Sequence, residues 1–140
     1  MLILSTSLAR FIAILALALT ITACSDIQKM EIETVLDARN SAVSESNINA
    51  YSSLLIQSYQ DQGQSKADLI SKMLQLFKQF DALEMTSFGR TIRILESGHA
   101  QCEQTYYLRA KADNKWREFN QHEQISLTRT TAGWQISGGL

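Results

Sequence analysis

"KADLISKMLQLFKQFDALEMTSFGRTIRILE", Lys66 to Glu96, changes its period in the middle, and that change decides the fold. Up to Phe80 the apolar residues Leu69, Ile70, Met73, Leu74, Phe77 and Phe80 recur at helical spacing and share one face. Ser65, with Asp68 three residues on, makes an N-cap arrangement ahead of them. Past Asp81 the spacing falls to two: Leu83 and Met85, then Phe88, Ile92 and Ile94 with the opposite parity, which predicts a bulge near Gly89. With this helix packed on the sheet that follows, Phe77→Ala is expected to cost on the order of 3–5 kcal/mol.

Beyond this stretch the period stays near two. Ser97-Gly98 makes a turn, and Ala100, Cys102, Tyr106 and Leu108 then alternate with Gln101, Glu103, Thr105 and Arg109 as in a half-buried antiparallel strand. Asp113-Asn114 marks the next hairpin. Phe119, Ile125 and Leu127 face one way from a third strand, and Gly133 leads into a last one carrying Trp134 and Ile136. Before Lys66 the pattern is helical. Ile32, Val35, Leu36, Ala42 and Val43 stripe a first helix, and Asn47 and Asn49 offer a stop and a new cap. Tyr51, Leu54, Leu55 and Tyr59 suit a short second helix, followed by the polar turn Gln60 to Gln64. Three helices ahead of hairpin-linked strands predict an α+β domain, with the helices covering one face of an antiparallel sheet of about four strands.

The N-terminal end is of another kind. From Phe11 to Ala23 run thirteen uncharged residues behind Arg10, short of the roughly twenty that span a bilayer, and the run reads as the apolar region of a signal peptide. Ile21-Thr22-Ala23-Cys24 resembles the bacterial lipobox, in which the cysteine thiol is acylated and becomes the new N-terminus. A thiolate is the competent nucleophile for that step. Each acyl chain contributes roughly 0.8 kcal/mol per buried methylene, and two or three together anchor lastingly. An uncut signal anchor, or an apolar first helix in a cytosolic protein, are the alternatives. The division is then residues 1–23 as leader, 24–29 as lipidated N-terminus and tether, and 30–140 as the domain. Residues 25–29 reach about 15 Å when extended, so the domain sits close to the membrane. Ser25 after Cys24 resembles the sorting pattern for the periplasmic face of the outer membrane in Gram-negative bacteria.

Loss of residues 1–23 removes only Arg10, leaving 12 basic against 14 acidic side chains, and no basic stripe favours nucleic acid. With Cys24 acylated, Cys102 has no disulfide partner and reads as a small core residue. His99 and His122, with twenty-two residues between them and no paired carboxylate at ligand spacing, make no metal site, and no cofactor motif occurs.

The order of elements, the stretch "SYQDQGQSKADLI" between helices two and three, and the closing "AGWQIS" resemble the nuclear transport factor 2-like superfamily, with its SnoaL-like and ketosteroid isomerase-like domains. The resemblance covers roughly Ile32 to Ile136. It implies a strongly curved sheet wrapping the first helix into a cone, as in cystatin-like folds, with a pocket at the open end. On the third strand, Gln121 and Glu123 interrupt the apolar row and share its parity unless a bulge turns Glu123 outward and His122 inward. Such a row suits a pocket floor lined by Tyr59, Tyr106, Gln121 and Glu123. A Glu123 carboxyl in a dry cavity would have a raised pKa and serve as proton acceptor, with Tyr106 or Tyr59 facing a substrate oxyanion. The acid-base members of the superfamily use an inward Asp or an Asp/His pair, and no aspartate here falls on an inward strand position. Two readings of function follow. One is a non-catalytic envelope lipoprotein that docks on a protein partner or forms a homodimer. The other is a pocket protein that binds a small apolar molecule or slowly transforms it by proton transfer.

Overall fold

The computed structural model describes the backbone of residues 4–96 and 98–140 and the side chains of residues 24–96 and 98–140. Two helices, α1 (Leu4–Ser44) and α2 (Ile48–Ser53), precede a small hairpin of β1 (Gln60–Asp61) and β2 (Gln64–Ser65). Helix α3 (Lys66–Gln79) then leads into β3 (Ala82–Ile94), β4 (His99–Ala112), β5 (Lys115–Thr130) and β6 (Gly133–Gly138). These four strands pair in sequence order as one curved antiparallel sheet. The α+β order read from the periodicity is the order observed.

Helix α1 begins earlier than its amphipathic stripe. Residues 25–29, read as a short tether, are helical, because nothing between Cys24 and Ile32 breaks a helix: neither proline nor glycine occurs there. Cys24 is exposed, and Ile32 is the first buried side chain after it, about 12 Å further along the axis at 1.5 Å per residue. The side chains of residues 1–23, read as the leader, lie outside the described residues, as does Ser97 of the expected Ser97-Gly98 turn. No helix among the described residues is long and apolar enough to cross a membrane.

Helix α2 is shorter than its apolar pattern. Asn47 caps it by accepting from the Ala50 amide at 3.0 Å, and it ends at Ser53, so Tyr59 lies beyond the helix rather than at its end. The released chain turns back along β6, with the Ile56 amide donating to Ile136 O at 3.0 Å and the Ile136 amide to Leu54 O at 2.7 Å. Those two backbone bonds offset the helical bonds that a longer α2 would have made. Helix α3 starts at the expected Ser65–Asp68 capping box. Its pKa signature agrees: the Ser65 amide and hydroxyl hold the Asp68 carboxyl below its usual value.

The packed face of α3 departs from the sequence reading at Leu74. Leu69 and Phe80 are buried, and Met73 and Leu76 are partly buried, a stripe at i, i+4, i+7 and i+11. Leu74 stands about 100° round the helix from Met73 and is 37% exposed, so Leu76 takes the place expected for it. Phe77 touches the core but is only partly buried. Truncation Phe77→Ala is therefore expected to cost about 1–2 kcal/mol, below the full-burial figure. Urea unfolding would show it, and a loss above about 3 kcal/mol would mean that α3 seats deeper than this stripe allows.

The bulge in β3 lies where the parity change placed it, between Phe88 and Thr91, with Gly89 at φ +65°. The switch of inward parity comes two residues later than the inward assignment of Phe88 required. The inward row is Leu83, Met85 and Ser87 before the bulge, then Arg90, Ile92 and Ile94 after it, and Phe88 is left 55% exposed. Phe119 has the inward parity of β5 but lies toward its β4-hairpin end, past the buried part of the row, and is exposed. The core closes on Ile32, Leu36 and Val43 from α1, Leu55, and Ile125, Leu127 and Ile136 from the sheet.

Candidate functional site

The register of β4 with β5 runs unbroken from His99↔Thr128 to Ala112↔Lys115, so no bulge turns Glu123 outward. Glu123 is buried on the concave face and His122 is exposed. Position 39 on α1 falls on the same stripe as Ile32, Leu36 and Val43, and it holds an arginine. The Arg39 guanidinium meets the Glu123 carboxylate end on: Nη1 donates to Oε1 at 2.6 Å and Nη2 to Oε2 at 3.1 Å. Both side chains are more than nine-tenths buried.

A third buried polar group completes the pair. Gln104 of β4 is fully buried, and its Nε2 donates to Glu123 Oε1 at 2.8 Å. Its Oε1 accepts from Arg90 Nε at 2.9 Å, and Arg90 Nη1 reaches Asp37 Oδ1 on α1 at 3.0 Å. The bulge at Gly89 is what turns Arg90 inward. A single polar chain thus runs from exposed Asp37 through Arg90, Gln104 and Glu123 to Arg39, tying α1 to three strands. Burial pulls the Arg39 pKa down, but the carboxylate of Glu123 outweighs it and the result lies above the ordinary arginine value. Glu123 is accordingly not the unpaired carboxyl in a dry pocket that the sequence suggested: both its oxygens already accept hydrogen bonds from fixed donors.

Arg39, Tyr51, Leu69, Met73, Tyr106, Gln121 and Glu123 surround a cavity of about 260 Å³ that Gly139 and Leu140 close from the side of β6. Three of the four residues expected to line a pocket, Tyr106, Gln121 and Glu123, therefore meet in one place. Tyr106 donates from its hydroxyl to Gln121 Oε1 at 3.0 Å. Its pKa is raised, by burial first and by Glu123 second, so it is a neutral phenol. Tyr59 does not join them. It is buried with its hydroxyl on Leu140, accepting from the Leu140 amide at 3.1 Å and donating to Leu140 O at 3.3 Å. The Gly139 amide donates to Asp61 Oδ2 at 3.1 Å, and at φ +90° a Cβ on Gly139 would run into the Gln124 carbonyl. Outside the cavity, Leu76, Phe80, Leu108 and Phe119 line an open apolar groove that shares Tyr106 and Gln121 with it.

The remaining sequence candidates stand apart. Cys102 is buried beside the core and burial pushes its thiol up to about 11, so it is not a nucleophile at neutral pH. His99 lies at the start of β4, its Nδ1 3.3 Å from Thr128 Oγ1. Arg39, Gln104 and Arg90 escaped the sequence reading, although each occupies a position whose neighbours at helical or strand spacing are apolar. A polar residue on an apolar row was the signal available.

No protein-family model matches the sequence, and no curated protein matches it. Solved structures do. A conserved protein from Planctomyces limnophilus superposes with a TM-score of 0.70 at 18% identity, covering 80% of this chain and 92% of that one. An NTF2-like protein with a cystatin-like fold from Novosphingobium aromaticivorans gives 0.67 at 15% identity, over 85% and 83% of the two chains. A dehydratase candidate of the NTF2-like family from Streptomyces avermitilis gives 0.69 at 10% identity, over 81% and 94%. At these identities the likeness concerns the fold, and the chain has the NTF2-like, cystatin-like fold.

Proposed function

We propose that this chain is a lipid-anchored protein of the bacterial envelope, on the periplasmic face of the outer membrane, whose domain is a non-catalytic interaction module. The observation that carries the second half is the state of the cone floor. A general base must present a lone pair to the proton it takes, within about 3 Å. Glu123, the buried carboxylate among the described residues, instead accepts from Arg39 on both oxygens and from Gln104 on one. The first half rests on Ile21-Thr22-Ala23-Cys24, and an exposed Cys24 about two helical turns short of the first buried side chain suits an anchor that leaves the domain undisturbed. A protein partner or a second copy would then be met close to the membrane surface.

Cys24→Ser tests it in cells. The variant is expected to lose metabolic palmitate labelling entirely, to keep its leader, and to retain the circular dichroism of the parent domain. Unchanged labelling and unchanged mass would overturn the anchor.

A further inference from the structure

Helix α1 carries a second apolar stripe that the core does not use. At about 100° per residue, Ile32, Leu36, Arg39 and Val43 centre on the side facing the sheet, and Ile27 and Met30 centre about 180° away. Those two side chains are 56% and 66% exposed. Cys24 stands one turn before Ile27 and about 60° from it, on the same outer side. Past Met30 the outer side is Thr34, Asp37, Ser41 and Glu45, all exposed and polar, so its apolar part is confined to the two turns after Cys24. The sheet brings a third apolar residue to the same level. Helix α1 runs against β3, with Asp37 meeting Arg90, Asn40 meeting Ser87 and Ser44 meeting the Met85 amide. Ile27 lies about 15 Å before Asp37 at the helical rise, and Leu95, just beyond β3, lies about 16 Å past Arg90 at the strand rise. Leu95 is 43% exposed.

From this we infer that Ile27, Met30 and Leu95 form a membrane-contact surface, seated in the interfacial layer of the bilayer, that fixes how the domain stands on it. The inference rests on the acylation of Cys24 proposed above. Acyl chains in the bilayer hold the Cys24 sulfur at headgroup level, and Ile27 and Met30 lie only about 4.5 and 9 Å further along the axis. The interfacial layer is about 5–7 Å deep on each side of the hydrocarbon, and helices lying in it bury their apolar face by about 5–10 Å. Exposed apolar side chains on the cysteine's own side of the helix are therefore within reach of the lipid. Charge says which lipid they meet. This end carries Asp26, Glu31, Glu33 and Glu96 against Lys29 and Arg93, four acidic to two basic, so anionic headgroups are not drawn to it and the contact is apolar. With this end down, the β4–β5 turn at Asp113-Asn114, at the other end of the sheet, faces away from the membrane, where a protein partner can reach it.

The test expresses the full chain, leader included, in bacterial cells and returns the purified protein to vesicles of phosphatidylethanolamine. Met30→Cys, Leu95→Cys and, as control, Ser41→Cys are each labelled with a nitroxide; all three sites are exposed or on the surface of α1, and Cys102 is buried and unreactive. Intact mass reads acyl chains and labels together. Collision of the nitroxide with oxygen, which concentrates in lipid, is compared with collision with a water-soluble nickel chelate. Labels at positions 30 and 95 are expected to favour oxygen and the label at 41 to favour nickel, with the ratios differing by at least about threefold, unchanged when phosphatidylglycerol or salt is added. An acylated chain whose labels at 30 and 95 favour nickel would overturn the inference and leave the anchor standing. Labels shielded from both reagents would show a second copy on this surface, and immersion only with phosphatidylglycerol would make the contact electrostatic; either overturns it. A mass with no acyl chain and a second nitroxide on Cys24 would remove the anchor, and the inference with it.

Discussion

Glu123→Gln is expected to destabilise the protein by about 3–5 kcal/mol, and Arg39→Met by a similar amount. Either change leaves one charge, or a buried polar group, more than nine-tenths buried beside a partner that can no longer neutralise it. Native domains hold about 5–15 kcal/mol in all, so each variant should sit near the edge of folding. The pair together behaves differently. Replacing both members of a buried ion pair by apolar residues is often neutral, because the desolvation of two charges disappears with their attraction. Here the double variant Arg39→Met with Glu123→Leu still leaves Gln104 Nε2 without its acceptor, which costs about 1–3 kcal/mol. The double is therefore expected to be more stable than either single by about 2 kcal/mol, as read from urea midpoints at constant m. Singles costing under about 1 kcal/mol, or costs that simply add, would show that water enters the site and screens the pair.

That pair also marks how far the sequence could be read. The switch of period at Asp81, the Ser65–Asp68 box, the turn at Asp113-Asn114 and the bulge at Gly89 are local signals, each with a cause inside a few residues. They were legible, and with them the α+β order. Arg39 and Glu123 are 84 residues apart, and no spacing rule connects a helix position with a strand position across the core. Glu123 was found because it broke an apolar row, whereas Arg39 and Gln104 broke rows in the same way and were passed over. Tyr59 was misplaced for a related reason: its segment is apolar enough for a helix, but backbone bonds to β6 compete for the same amides and win. Exposure of Phe88 turned on where along β3 the parity switches, between Ser87 and Arg90 rather than between Met85 and Phe88, which parity alone leaves open. The lipid site proposed at Cys24 rests on the sequence alone, since the chemistry it would carry needs no fold.

The closing "AGWQIS" offers the second large effect. Trp134 follows Gly133 into β6, pairs with Arg129, and is 5% exposed within the core. Trp134→Ala is expected to cost about 3–5 kcal/mol, the range for removing a large buried aromatic group. The indole has an unusual feature here, because Nε1–H is buried with no acceptor among the described residues. Such a donor itself costs about 1–3 kcal/mol, and Trp134→Phe removes it while keeping most of the ring. Trp134→Phe is then expected within about 1 kcal/mol of the parent despite its loss of volume, the two changes offsetting one another. Thermal and urea unfolding of the two variants separate the cases. Should Phe prove as costly as Ala, the N–H would have to be bonded in solution, by water or by a bound partner. Trp134 would then belong to a binding surface rather than to packing alone, and a near-neutral Phe assigns this part of the motif to the core.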